Sequence, residues 1–341
     1  MNRRTLLGAA PALIAAPALG GLAARPAGAQ PAGAQPASTQ PAWRPERGVT
    51  MICPFAAGGA TDVMGRLAAG PMGQRLGQPV VVENVTGASG SIGAGRAARA
   101  NADGHTILVG HVGIFAFNQH LFNRLPYDPL SDFAYIGEIG TNPMVLLVSR
   151  QSGIRSIAQL RERARSGRLT IGSSGLGTTL HMGGAMLVQT LGGQGDLIPY
   201  RGGAPAINDL LAGILDVVVD QAITAIPAIQ GGALPLAVTG PQRLPQIAEV
   251  PTAQEAGLPG LTLQVWNILA APRATPARTV QALAEALDFA LEDATLKERF
   301  ATYSAIAPQG AQRGPAAADA LVRRESQAWG EFIRSARIER E

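Results

Sequence analysis

The 341-residue chain contains one cysteine, one lysine and only 4% aromatic residues, and each scarcity excludes something. A single thiol, Cys53, leaves no intramolecular disulfide and no multi-cysteine zinc site. Its place in the apolar run Val49–Phe55 marks a buried structural thiol, not a nucleophile. So few aromatics offer no platform on which nucleic-acid bases could stack. The formal net charge of +4 does not restore that reading. Arg3, Arg4 and Arg25 lie in the first 41 positions, which hold no acid, so 25 basic residues face 24 acidic ones in the remainder. A phosphate-binding surface needs many uncompensated cations. No run of 18 apolar residues follows the N-terminal segment, so no membrane span is expected beyond it.

The common catalytic signatures are missing too. The only lysine, Lys297, sits in Leu-Lys-Glu and not in a Walker loop. Gly93-x-Gly95 and Gly175-x-Gly177 lack the third glycine of a dinucleotide fingerprint, and Gly-x-Ser-x-Gly does not occur. The four histidines, His105, His111, His120 and His181, form no metalloprotease helix motif. No metal, no cofactor and no enzymatic activity are expected.

What is present begins with an export signal. Arg3-Arg4 form a positive start, Thr5–Ala24 are small and apolar but interrupted by Pro11, Pro17 and Gly20-Gly21, and Ala27-Gly28-Ala29 offers the small residues of a cleavage site. Residues 1–29 therefore read as a signal peptide, by the twin-arginine or the general secretory route. Cleavage falls before Gln30 or, because Pro-Ala-Gly-Ala-Gln is duplicated, before Gln35. The Pro/Ala-rich stretch to residue 43 reads as a flexible tether. The expected location is periplasmic.

In the rest, 46% hydrophobic residues overall are enough to bury cores, and the length exceeds the roughly 100–200 residues of one domain. Short apolar runs (Val49–Pro54, Val80–Glu83, Thr106–Gly110, Val145–Val148, Thr170–Gly172, Val217–Asp220, Leu236–Thr239) alternate with helical stretches near 61–77, 90–100, 156–166, 178–191, 204–212, 276–292 and 315–336. That alternation predicts an α/β fold with largely parallel sheets covered on both faces. Pro71 predicts a kink or break in the first helix.

Three glycine-rich corners stand where strands give way to helices. The first is Pro54–Asp62, with Phe55, Ala57, Gly58 and Gly59 at the turn, Thr61 as a candidate cap and Asp62 complementing the helix dipole. The second is Gly87–Gly93. The third runs from Gly172 through Ser173, Ser174, Gly177, Thr178 and Thr179 to His181. All three offer backbone N–H and hydroxyl donors, and none offers an obvious nucleophile, base and acid, which favours anion binding over catalysis. A hydrolase built on Ser173, Ser174 and His181 lacks an orienting acid. The arginines Arg155, Arg161, Arg163, Arg165 and Arg168 read as a solvated helix face or, alternatively, a docking surface.

The order of these motifs resembles the Bug family, periplasmic solute-binding proteins of tripartite tricarboxylate transporters. The resemblance runs through Pro54–Gly59 with Asp62, Val82–Gly93, Ala102–Thr106, Leu125–Pro129, Gly172–His181, Pro199–Ala206 with Asp209–Leu211, Ala237–Thr239 and Val250–Thr252. It implies a type II periplasmic binding fold, two lobes of a venus flytrap with a central cleft and crossing strands. Lobe one would span 44–144 plus 271–341, and lobe two 145–270. It implies capture of a small organic carboxylate (a di- or tricarboxylate, an acidic amino acid or an aromatic acid) for a membrane permease, by a monomer. A periplasmic carboxylate sensor is the alternative. In the family the first corner holds a carboxylate through backbone donors, the loop matching Ser173–Thr179 grips the other end, and Asp220 matches a cleft-facing acid. Where many members carry Thr-His, this chain has Ile114-Phe115. If these face the cleft, the ligand should be less polar at its middle.

Overall fold

The structure is a computed structural model that describes residues 43–335, 338 and 340. The expected signal peptide and nearly all of the tether lie outside the described residues. Nine strands among those residues form one mixed sheet in the order β2-β1-β3-β9-β4-β7-β5-β6, with β8 paired to β4. In chain order they are β1 (Val49–Cys53), β2 (Val80–Asn84), β3 (Thr106–His111), β4 (Phe133–Val148), β5 (Arg168–Ser173), β6 (Gln194–Pro199), β7 (Val217–Gln221), β8 (Leu234–Val238) and β9 (Gln264–Pro272). The α-helices are α1 (Ala60–Leu76), α2 (Ser91–Ala98), α3 (Asn118–Leu121), α4 (Ile157–Ser166), α5 (Thr179–Leu191), α6 (Gly203–Leu211), α7 (Ala222–Gln230), α8 (Ala277–Glu292), α9 (Ala294–Thr302) and α10 (Pro315–Ser335).

Two parallel triplets, β2-β1-β3 and β7-β5-β6, are joined by two antiparallel strands. β9 runs against β3 and against β4 from Phe133 to Pro143, whereas β4 from Met144 onward pairs with β7 and β8. Parallel and antiparallel pairings are equally represented, so the sheet expected to be largely parallel is a mixed one. β4 pairs with β9 over its first part and with β7 and β8 over its last, and two irregularities in its register, between Tyr135 and Gly137 and between Glu138 and Gly140, let it turn from one triplet to the other. Thr239 fastens the crossing: the Met144 N–H donates to its Oγ1 at 2.9 Å, and its own N–H donates to the Met144 carbonyl at 2.8 Å.

Continuous apolar strands need cover on both faces. On one face of the first triplet, Met64, Ala68 and Met72 of α1 and Leu283 and Leu287 of α8 pack with Met51, Cys53, Ile107 and Val109. Cys53 is fully buried, and burial pushes its thiol up to about 12, so it is the inert core thiol expected. In the second half, Val145, Leu147 and Val218 pack with helices α6 and α7. The predicted break at Pro71 does not occur: α1 continues to Leu76 with Pro71 inside it. Pro71 removes one backbone bond from the helix interior, but Ala68, Ala69 and Met72 around it stay buried, and packing outweighs the local loss. The arginine-rich segment is α4, which buries only Leu160 and Ala164. Several of its neighbouring arginines are tied down, Arg168 to Asp196 and Arg155 to the Arg150 and Ile154 carbonyls.

Candidate ligand-binding site

Open α/β sheets place ligands beyond the carboxyl ends of their parallel strands. Here the two triplets point those ends at one another. The segments leaving β1, β3, β5, β6 and β7 meet around an inner cavity of about 20 Å³ lined by Phe55, Ala56, Gly59, Ala60, Thr61, His111, Ser174, Thr179, Leu180, Gly202, Gly203, Asp220 and Gln221. An outer cavity of about 410 Å³ shares Phe55 and Ser174 with it and is lined further by Thr86–Gly90, Gly175, Tyr200 and Arg201.

The inner cavity receives three helix N-termini. The first N–H groups of a helix have no acceptor within it. At α1 the residue before the helix, Gly59, provides no side-chain cap, so the first-turn donors of Ala60 and Thr61 stay available beside the cavity. At α5 the Thr178 hydroxyl takes the His181 N–H at 3.3 Å, leaving Thr179 and Leu180 at the wall. α6 begins at Gly203 after an uncapped Gly202. Gly202, at φ +143°, lies so close to the first half that a Cβ would come within 3.0 Å of the Ala56 Cβ. Glycine there lets the α6 terminus approach. Each helix end favours an anion by about 0.3–1 kcal/mol, more when partly buried. Three together suit a carboxylate with no cationic side chain on the inner wall.

The side chains around these donors divide into wall and brace. His111 is buried, and its Nδ1 accepts the Gly113 N–H at 2.9 Å, which places the proton on Nε2. Burial pushes its pKa down to about 3, so the ring is a neutral donor at working pH. Phe55 stacks on it with centroids 4.5 Å apart and planes 13° apart. Asp220 is buried, and its oxygens accept from the Gln221 N–H at 2.8 Å and the Thr224 hydroxyl at 2.7 Å. Burial raises it to about 6 against those two bonds.

Of the residues singled out from sequence, Phe55, Gly59, Thr61, Ser174, Thr179 and Asp220 line the inner cavity. Ala57 and Gly58 are exposed on the turn, and the Gly58 N–H is occupied by Asp62 Oδ2 at 2.9 Å. Asp62 lies behind the corner. It also accepts from Arg66 Nε at 3.0 Å and from Asn84 Nδ2 at 2.8 Å, while Asn84 donates again to the Phe55 carbonyl at 2.9 Å. Burial opposes its ionisation, but Arg66, Gly58 and Asn84 together hold the carboxyl below its ordinary value. Thr61 is no cap; it is buried inside the first turn of α1. Ser173 accepts the Gly175 N–H at 3.2 Å, Thr178 caps α5, and Gly177 packs on Asn118. Ile114 and Phe115 do not face the cleft. They belong to a π-helical turn, Gly113–Phe117, whose residues are all buried, and Phe115 meets Phe133 and Tyr135 edge-on at 5.7 and 5.3 Å. An apolar middle for the ligand therefore loses its basis. The imagined Ser-His pair is not formed: His181 Nδ1 has no hydrogen-bond partner.

Sequence reasoning missed Ala56, Ala60, His111, Leu180, Gly202, Gly203 and Gln221. A signal existed for some of them, since Tyr200-Arg201-Gly202-Gly203 repeats the strand–glycine–helix pattern. His111 gave none, because nothing in sequence marks a histidine whose partners are a backbone amide and a phenyl ring. Ala88 and Ser89, on the outer wall, hold φ of +44° and +52°, an uncommon conformation for non-glycine residues.

Comparison with known proteins identifies the family. The family model "Tripartite tricarboxylate transporter family receptor" matches residues 64–335. A UPF0065 protein of Agrobacterium vitis is 35% identical over 295 residues, covering 86% of this chain and 85% of its own. BugT of Bordetella pertussis is 31% identical, covering 85% and 89%. Among solved structures, MatC of Rhodopseudomonas palustris with bound malate is 33% identical with TM-score 0.81, covering 85% of this chain and 99% of that one. The periplasmic binding protein BugD is 35% identical with TM-score 0.82, covering 87% and 100%. An R. palustris protein with adipate is 32% identical with TM-score 0.82, covering 87% and 99%. Among the described residues, no helix is long and apolar enough to cross a membrane. The chain belongs to the tripartite tricarboxylate transporter receptor family, the Bug proteins, and is a periplasmic solute-binding receptor, not an enzyme.

Proposed function

We propose that this receptor captures a small organic carboxylate between its two halves and presents it to the membrane permease of a tripartite tricarboxylate transporter. The observation that carries the reading is the convergence of the α1, α5 and α6 N-termini on one cavity whose wall includes no lysine or arginine. Backbone donors fixed by three helices can hold a carboxylate with no side-chain reorganisation, and the neutral His111 Nε2–H adds one more. The similar proteins with malate and adipate support a dicarboxylate of modest length.

An inner cavity of about 20 Å³ holds roughly one water, so the halves must part for a solute to reach it. We take lobe one as 44–144 with the C-terminal segment and lobe two as the stretch between, hinged where β4 crosses at Pro143–Met144. The pairing of β9 with β3 and β4 supports a return crossing near Gln264 in place of the expected 271. Hinge closure on the solute follows.

A thermal-shift series of the purified chain against mono-, di- and tricarboxylates, acidic amino acids and aromatic acids tests the reading. A ligand at a hundred times its Kd stabilises by about 2.7 kcal/mol, a shift of about 4 °C for a chain of this size. A shift confined to one carboxylate class is the expected result. A flat response to all of them, with no solute retained from purification in native mass spectra, would overturn it.

A further inference from the structure

The two halves touch at a narrow point that lines neither cavity. Asn118, fully buried at the start of α3, reaches the loop that leads from β5 into α5. One end of its side chain lies 3.1 Å from the Gly113 carbonyl of its own half and 3.2 Å from the Gly177 carbonyl of the other, and the opposite end faces the Tyr127 hydroxyl at 3.1 Å. Carbonyls only accept, so the end between them is the amide nitrogen, and Nδ2 donates to both. The surfaces around this bond are cut to fit it. A Cβ on Gly177, which holds φ +74°, would fall 2.2 Å from the Asn118 side chain, and a Cβ on Gly113 would fall 2.6 Å from the Gly177 oxygen. Glycine on both sides is what allows the backbones to approach.

Gly177 stands between Ser174 and Thr179, both on the inner wall. Whatever fixes its carbonyl also fixes the N-terminus of α5 against that of α1. We propose that Asn118 is the clasp that holds the cleft closed, a positioning residue that sets how long the solute is retained without touching it. This rests on the lobed, solute-binding reading above. On opening, the Gly177 carbonyl and the Asn118 amide separate into solvent, so the clasp acts on the closed form alone. A residue that stabilises only the closed form governs dissociation, not association, and does so equally for every solute.

The test uses Asn118→Asp, which keeps the size but sets an oxygen against two carbonyls, and Gly177→Ala, which drives a methyl group into the clasp from the other side. Binding kinetics are measured for each carboxylate that the unsubstituted chain binds. Lobe separation is read as a spin-label distance between cysteines placed at the exposed Ile92 and Ile214, Cys53 being buried and inert. Loss of one buried hydrogen bond predicts dissociation faster by about tenfold in either variant, with association changed less than about twofold. The factor should be the same for all solutes, and the distances longer with and without ligand. Wild-type dissociation rates and distances in both variants would overturn the clasp. So would a loss of affinity that varies from solute to solute at unchanged distances, since that marks a direct contact. If the unsubstituted chain binds no carboxylate, the functional reading fails, and the ligand-free distances decide the clasp separately: equal distances in all three proteins refute it.

Discussion

The corner after β1 and the corner after β5 present the same thing, a helix N-terminus aimed at the inner cavity, but they are braced by opposite means. The first is held by charge. Asp62 is only 2% exposed and ties Gly58, Arg66 and, through Asn84, the neighbouring strand β2 into one network. The second is held by neutral hydroxyls acting within a few residues: Thr178 caps the helix and donates to the Gly175 carbonyl at 2.7 Å, and Ser173 takes the Gly175 N–H. What the two share is the uncovered backbone donors. The bracing is free to vary because an anion reads only the N–H groups. The difference also has a consequence: the first corner is anchored to the sheet, whereas the second relies on local bonds and on the contact with Asn118.

Removing the charge brace should have the largest effect. Asp62→Ala leaves the Gly58 N–H without its acceptor and removes one acceptor each from the Asn84 amide and Arg66, and is expected to lower unfolding free energy by about 3 kcal/mol, the half-exposed Arg66 keeping the loss at the low end for a broken buried pair. Urea denaturation of the variant reads it directly, and a loss below about 1 kcal/mol would mean the corner stands without its network.

Acid should break the corners in the opposite order. Burial holds His181, in the second corner, down at about 4. The unfolded chain therefore takes up that proton first, and stability falls as pH drops from about 6.5 toward 4. His111, held near 3, acts in the same direction, while Asp220, raised to about 6, gains stability on acidification between about 6 and 3.8 and offsets part of the fall. Asp62, whose value is lowered, loses its contribution only below the ordinary carboxylate range. Replacing His181 with leucine should make the decline between pH 7 and 5 shallower by about 2 kcal/mol. An unchanged pH profile of the thermal midpoint would show that His181 is not protonated on unfolding.

The smallest effect is expected for the neutral brace. Thr178→Ala removes a single N-cap and should cost about 1 kcal/mol, with Thr178→Ser restoring most of it. A loss as large as that of Asp62→Ala would erase the contrast between the corners.

The same contrast marks what was legible in the sequence. The three glycine corners and the strands feeding them announced themselves, because a continuous apolar run ending in glycine and hydroxyls has few other structures open to it. β4 was read only over its last four residues. Its earlier part carries Glu138, Gly140, Thr141 and Pro143, which interrupt the apolar pattern where the strand bends between triplets. β9 was missed altogether, since Trp266 and Asn267 break its alternation, and with both strands unread the antiparallel joint was invisible. Of the loops that line the inner cavity, those after β1 and β5 stood out in the sequence and the one leading into α6 did not, and the roles of individual residues depend on where hydrogen bonds go. Gly58 looked like a donor and is occupied by Asp62; Ile114 and Phe115 looked like cleft walls and are core. Those facts follow from tertiary packing, which residue spacing does not encode.

Backbone donors at three helix N-termini should select a charged carboxylate over a neutral isostere. Isothermal titration of the best-binding carboxylic acid against its primary amide, equal in shape and without the charge, tests this most directly. The amide should bind at least about 100-fold more weakly, a difference of roughly 2.7 kcal/mol. Equal affinity of acid and amide would contradict it.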